Sequence, residues 1–189
     1  MKKIVLIAAA ALVSLAASAQ ELKFAYVDFT ELIQLMPEAD SARVQSEAAS
    51  LEAQETYEAM VEEFQTKYQQ FEQKKATWTP AIAESKAAEL QQIQQRIQEF
   101  EQAIQMDLQQ LQQALHAPIY DKAQKVVGDL AKAKGFAAVF EKTSLLYIDP
   151  VQLFDLTPEA RVVLNIPADR TLETLQAELQ ARAQAAQAR

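Results

Sequence analysis

The sequence predicts an α+β protein, mostly α, in which a long antiparallel α-helical hairpin projects from a small β body. The stretch from Pro37 to Pro118 contains no glycine, and its strongest break is at Trp78-Thr79-Pro80. Short segments rich in aromatic residues, 21–29 and 136–148, lie on either side of it. A long helical pattern with a single turn is typical of a coiled-coil arm, and the flanking segments are typical of strands.

The first 19 residues have the pattern of a cleaved signal peptide. Lys2 and Lys3 precede an apolar run, residues 4–15, that is too short to span a membrane. Ala17-Ser18-Ala19 fits a small-residue cleavage site. We expect cleavage after Ala19 and an exported mature protein, and the alternative is a retained membrane anchor.

The composition limits both partners and chemistry. Without the two leader lysines the chain carries 16 basic and 26 acidic residues, a net charge of −10. This acidity argues against a nucleic-acid partner and for transient membrane contact at most. There is no cysteine, one histidine and only two glycines. We therefore expect no enzyme activity, no cofactor and no metal site.

Heptad spacing defines the two arms of the hairpin. In the second arm Leu90, Ile97, Ile104 and Leu111 recur every seven residues. In the first arm the apolar stripe changes phase, and different residues carry it before and after the change. The two sets are Val44, Ala48 and Leu51, then Tyr57, Val61, Phe64, Tyr68 and Phe71. This change predicts a stutter between Leu51 and Tyr57, where we expect the arm to bend.

Proline, threonine and glycine mark the ends of the helices. We expect Thr79 to cap the second arm and Pro80 to be its first residue. Pro118 is predicted to kink the helix at the root of the arm, and Gly135 to end it in a left-handed conformation. The predicted domains are a signal peptide (1–19), body (20–36), arm (37–118), body (119–166) and a C-terminal helical extension (167–189).

The body is predicted to contain three strands. Residues 22–29 form the first, followed by a short helix capped by Thr30, and residues 136–140 and 145–148 form a β-hairpin. Three short apolar strands make a poor sheet, so we expect several copies of the chain to join their strands into a closed barrel. The residues predicted to build this shared barrel body are Phe24, Tyr26, Val27, Phe136, Val139, Phe140, Leu145, Leu146, Tyr147 and Ile148.

The aromatic residues of the first arm allow two interpretations. They pack the seam between the two arm helices, or they contact a partner, and packing is favoured for Phe64, Tyr68 and Phe71. The candidates for partner contact are Tyr57, Met60 and Trp78. Trp78 lies at the tip, where no seam remains to bury it, and Met60 offers an adaptable contact beside the seam.

Several short segments share their order and spacing with one known family. They are Phe24-Ala25-Tyr26-Val27-Asp28, Ala117-Pro118-Ile119-Tyr120-Asp121-Lys122, Gly135-Phe136, Val139-Phe140-Glu141-Lys142, Leu145-Leu146-Tyr147-Ile148-Asp149-Pro150 and Asp155-Leu156-Thr157. Together they resemble the Skp (OmpH-like) family of periplasmic chaperones. The resemblance implies a trimer with a β-barrel body and helical tentacles. It also implies an ATP-independent holdase that encloses unfolded outer-membrane proteins.

The charge of the arm differs from that of the better-known family members, which are basic. Residues 38–116 carry 14 acidic and 6 basic side chains. We therefore do not expect the arm to capture clients through positive charge. We expect it to hold them by apolar contact and enclosure. The second class of function that the sequence leaves open is a structural coiled-coil spacer or adaptor of the cell envelope, with a sealed seam and a polar exterior.

Overall fold

The protein is mostly helical and contains one small sheet. The structure, a computed structural model, describes residues 22–187, and the predicted signal peptide lies outside them. The elements are β1 (Lys23–Val27), α1 (Phe29–Leu35), α2 (Pro37–Lys74), α3 (Pro80–Lys134), β2 (Phe136–Glu141), β3 (Leu153–Asp155), α4 (Thr157–Val163) and α5 (Leu172–Gln187). Short 3-10 turns occupy Lys75–Thr77 and Lys142–Ser144. The predicted α+β, mostly α, class is confirmed.

The chain divides into two compact units. The arm unit comprises Met36–Asp121 and contains α2 and most of α3. Among the described residues, the body unit comprises 22–35 and 122–187, and it contains the sheet, the end of α3 and the shorter helices.

The sheet of the body unit is parallel, so the predicted β-hairpin is wrong. β1 lies between β2 and β3, and both neighbours run parallel to it. Residues 145–148 do not form a strand, and the third strand is β3. Successive strands that run in the same direction need a crossover connection. Residues 142–152 form the connection from β2 to β3, which lie on opposite sides of β1. The apolar run at 145–148 indicated a buried strand, but Leu146 and Tyr147 are exposed within one chain.

Asp28 joins three elements at the end of β1. Its Oδ1 accepts a hydrogen bond from the N–H of Glu31 at 2.9 Å and so caps α1, the role predicted for Thr30. The helix begins one residue earlier than Thr30, which explains the error. The Asp28 N–H donates to Oγ1 of Thr157 at 2.9 Å, and its Oδ2 accepts from Nζ of Lys142 at 3.0 Å. This last contact raises the pKa of Lys142.

The core of the body unit includes residues from both ends of the chain. Its buried apolar side chains include Ala25, Val27, Leu32, Leu35, Ala123, Val127, Leu156, Ala160, Leu164, Ile166 and Leu175. Leu175 belongs to α5, so the C-terminal extension contributes to this core. The Arg161 guanidinium pairs with Glu31 and donates to the carbonyls of Pro167 and Arg170, which positions the loop before α5.

The helix ends of the arm largely follow the sequence. α3 begins at Pro80, and Oγ1 of Thr79 accepts the N–H of Ile82 at 3.4 Å, as predicted for a cap. Pro118 lies inside α3, which continues to Lys134, and a kink there stays a prediction. Gly135 follows with φ of 72°, which confirms the left-handed helix end.

Gly135→Ala tests this helix end. An added Cβ would meet no atom within 4 Å, so the cost is conformational, and we expect the unfolding free energy to fall by about 1–2 kcal/mol. Denaturant unfolding measures it. Gly128→Ala is the matched control, because Gly128 lies within α3 with equally open space around it and should gain about 0.5–1 kcal/mol. The same sign of change at both positions would contradict this account.

Candidate functional site

The arm unit has two halves of different character along its length. We name residues 63–96, which include the turn, the turn half, and residues 44–62 with 97–117 the open half. In the turn half Phe71 meets Trp78 edge to face, with ring centroids 5.9 Å apart. Ile93 of α3 is only 3% exposed. The turn half is therefore the better-packed part of the arm.

Ion pairs also join the two helices in the turn half. Arg96 of α3 donates to Glu63 of α2 at 3.0 Å, and Glu89 of α3 pairs with Lys67 of α2. Glu89 also pairs with Lys86 of its own helix. The two lysines hold the pKa of Glu89 at about 2, below its ordinary 4.5, mainly through the hydrogen bond from Lys67. The pKa of Lys67 is raised by the same bond. These exposed pairs set the alignment of the helices more than they add stability.

An apolar groove runs along the open half. Ala49 and Ala53 of α2 and Ile104, Leu108 and Leu111 of α3 line this groove, which has a volume of about 340 Å³. The remaining lining residues are Glu52, Thr56, Phe100 and Asp107. Alanine side chains are too short to cover the larger residues of α3, so these stay accessible to a ligand.

The first-arm stripe predicted from sequence is wrong in the open half. Val44 and Leu51 are 52% and 55% exposed and so are not seam residues. The half-buried face of α2 runs from Phe64 to Tyr57 and then, four residues at a time, to Ala53 and Ala49. These two alanines take the seam positions that were predicted for Val44 and Leu51. The larger side chains from Tyr57 onward therefore fix the rotation of α2, and Val44 and Leu51 face outward.

The three residues predicted to contact a partner lie at separate places along the arm. Tyr57 follows Thr56 of the groove and is half-buried, and a hydrogen bond to Glu101 of α3 raises its pKa. Met60 is half-buried one turn further along α2. Trp78 is half-buried against Phe71 at the turn. Their contact with a partner stays a prediction.

The groove itself was missed by the sequence reasoning. The sequence did contain a signal for it. Ala49 and Ala53 are small residues four positions apart on α2, whereas the seam of α3 has large apolar residues, Ile104 and Leu111. When small residues on one helix face large residues on the other, the side chains fill the seam only if the two helices lie unusually close together. At ordinary spacing a groove remains.

The body unit carries a second set of accessible apolar residues. Of the ten residues predicted to build the shared barrel body, Val27 is buried and Phe140, Leu146 and Tyr147 are exposed. The others are partly exposed: Phe24, Tyr26, Phe136, Val139, Leu145 and Ile148. Phe24 packs on Phe140 across the sheet, with ring centroids 6.0 Å apart.

Residues 22–187 contain neither a candidate membrane span nor a candidate metal site. No helix in this part of the chain is long and apolar enough to cross a bilayer. The same residues contain no group of three histidine or acidic side chains that could hold a metal ion.

Comparison with known proteins decides the family. The model of the OmpH-like outer membrane protein family matches residues 23–160. This chain belongs to the OmpH-like family. The family match ends within α4, so α5 lies beyond it.

A solved structure shows the same fold. It is the crystal structure of a candidate outer membrane chaperone (OmpH-like) from Caulobacter crescentus CB15, with a TM-score of 0.68 and 13% sequence identity. The similarity covers 79% of this chain and 90% of that chain. The search of curated proteins gave no match.

Glu89→Gln tests the ion pairs of the turn half. Because the pKa of Glu89 is depressed from 4.5 to about 2, its contribution to stability is complete above about pH 4.5 and is lost as the pH falls toward 2. We expect a lower melting temperature than wild type near neutral pH and a difference that narrows on acidification. Calorimetry across this pH range measures it, with Glu84→Gln, an exposed carboxylate of the same helix, as control. A difference that stays constant with pH would contradict the assignment.

Proposed function

We propose that this protein is an ATP-independent periplasmic holdase chaperone for unfolded outer-membrane proteins. It acts as a homotrimer and encloses its clients between the coiled-coil arms. The observation that carries the proposal is the apolar groove of the open half, in a chain that belongs to the OmpH-like family. A holdase needs apolar surface that an unfolded chain can reach, and the groove supplies it.

The alternative, a coiled-coil spacer or adaptor of the cell envelope, requires a sealed seam and a polar exterior. The seam of the open half leaves Ile104, Leu108 and Leu111 accessible. The outer surface of the arm carries Val44 and Leu51, and Met106 is 59% exposed. Accessible apolar side chains in the seam and on the outer surface are not expected of a spacer with a sealed seam and a polar exterior, which favours the holdase.

The trimer is supported by the incomplete sheet of the body unit. β2 and β3 are outer strands that each pair with β1 alone. Open strand edges with exposed apolar neighbours, here Phe140, Leu146 and Tyr147, invite pairing with further chains. We infer that residues 145–148, which lack a partner strand within one chain, find it in another copy.

Location and energy source rest on the sequence. The signal-peptide pattern of residues 1–19 supports export to the periplasm. With only two glycines, seven positions apart, the chain has no glycine-rich loop for nucleotide phosphates, which supports release of clients without ATP.

Dilution of a denatured outer-membrane β-barrel protein into buffer tests the chaperone function. We expect equimolar trimer of the proposed chaperone to suppress light scattering by the aggregating client without added nucleotide, because the client is held in shallow apolar contacts. Bovine serum albumin at equal mass concentration controls for non-specific protection. Unchanged aggregation at equimolar trimer would exclude the holdase and leave the spacer.

The double substitution Leu146→Ser and Tyr147→Ser tests the trimer. Both side chains are exposed in the single chain, so the fold of the chain should persist, while association weakens because apolar area is lost at each interface. Sedimentation velocity should show a trimer for wild type and smaller species for the variant. Ile82→Ser, an exposed apolar residue of the arm unit, should stay trimeric. A stable wild-type monomer at low micromolar concentration would contradict the proposal.

A further inference from the structure

The charge of the arm is concentrated in one half. The turn half carries four acidic and five basic residues, whereas the open half carries eight acidic residues and neither lysine nor arginine. The eight are Glu47, Glu52, Glu55, Glu58, Glu62, Glu99, Glu101 and Asp107. The net negative charge of the arm therefore comes from the open half.

These eight carboxylates have no cationic partner among the described residues. Two ion pairs that join the arm helices, Glu63 with Arg96 and Glu89 with Lys67, lie in the turn half. In the open half the hydrogen bonds come from neutral donors, since Glu58 accepts from Gln54 and Glu101 from Tyr57. The negative potential of the open half is thus compensated only by solvent and salt.

The same half contains the apolar groove, and acidic side chains lie within its lining. Glu52 of α2 and Asp107 of α3 stand among the alanines and the larger apolar residues. The surface therefore offers apolar contact and negative charge within reach of one short polypeptide segment. Its chemistry is complementary to a segment that alternates or flanks apolar residues with lysine or arginine.

We propose that the groove of the open half binds unfolded polypeptide segments in which apolar residues are accompanied by lysine or arginine. This inference rests on the proposed function, because it takes an unfolded client as the source of the segment. A second copy of the arm is disfavoured as the occupant, since it presents the same eight carboxylates. An anionic lipid surface is disfavoured by the same repulsion.

Peptide binding to the full-length protein tests the proposal. The probe is a short peptide of alternating leucine and lysine that carries a neutral fluorophore, and binding is followed by fluorescence anisotropy. Two matched peptides replace either every lysine with glutamate or every leucine with glutamine. We expect the leucine–lysine peptide to bind most tightly. Its affinity should also fall as salt is raised past about 0.1 M, where the Debye length is ~10 Å.

Variants of the protein locate the site. Glu52→Gln combined with Asp107→Asn removes two charges from the groove and should weaken binding by roughly two- to tenfold, the range expected for two exposed charge contacts. Glu72→Gln combined with Glu84→Gln removes two charges from the turn half and should leave the affinity unchanged. Ala53→Leu fills the groove at unchanged charge and should also weaken binding. Circular dichroism confirms that each variant keeps its helices.

The outcomes separate this inference from the proposed function. Equal affinity for the lysine and glutamate peptides, or equal effects of the two charge-removing variants, would overturn the groove assignment even if the wild type suppresses client aggregation. Conversely, selective binding of the lysine peptide that is lost in the groove variants supports the site even if aggregation is not suppressed. In that case the holdase function fails and the peptide site remains.

Discussion

The rotation of α2 about its own axis decides which residues the two arm helices present to each other, and the large side chains near the turn fix that rotation. The half-buried Tyr57, Phe64 and Phe71 follow one face of α2, with Phe71 against Trp78, and the ion pairs of the turn half align α2 with α3. Continued along the helix, this face carries only alanine at positions 53 and 49. A groove with apolar walls results, because large residues of α3 meet small residues of α2.

The body unit is held together by polar contacts at the end of its sheet. A parallel sheet of three short strands has few ladder hydrogen bonds, and polar side chains at its end supplement them. The Asp28 carboxylate caps α1 and pairs with Lys142 just after β2, and the Asp28 backbone N–H donates to Thr157, so one residue connects the ends of β1 and β2 to the start of α4. These residues belong to the segments that carry the family resemblance, which gives those segments a structural role. The outer edges of the sheet stay open, and this is the physical basis for the proposed trimer.

Much of the fold could be predicted from the sequence because the relevant signals are local. The absence of glycine, the threonine–proline cap at the turn and the left-handed Gly135 each act within a few residues. The errors concern non-local choices. The apolar run at residues 145–148 indicated burial, but it does not reveal that β3 pairs with β1 instead. The outward position of Val44 and Leu51 follows from the aromatic residues from Tyr57 onward, which a reading of each segment alone does not capture.

If the groove holds clients as proposed, unfolded polypeptides contact the open half of the arm more than the turn half. The chain has no cysteine, so a single introduced thiol can carry a spin label at a chosen position. Thr56→Cys places the label in the groove lining, and Gln73→Cys places it on the exposed surface of the turn half. Paramagnetic resonance should show loss of label mobility at position 56 when an unfolded outer-membrane β-barrel protein is bound, and little change at position 73. Immobilisation at position 73 alone, or equally at both, would contradict the account.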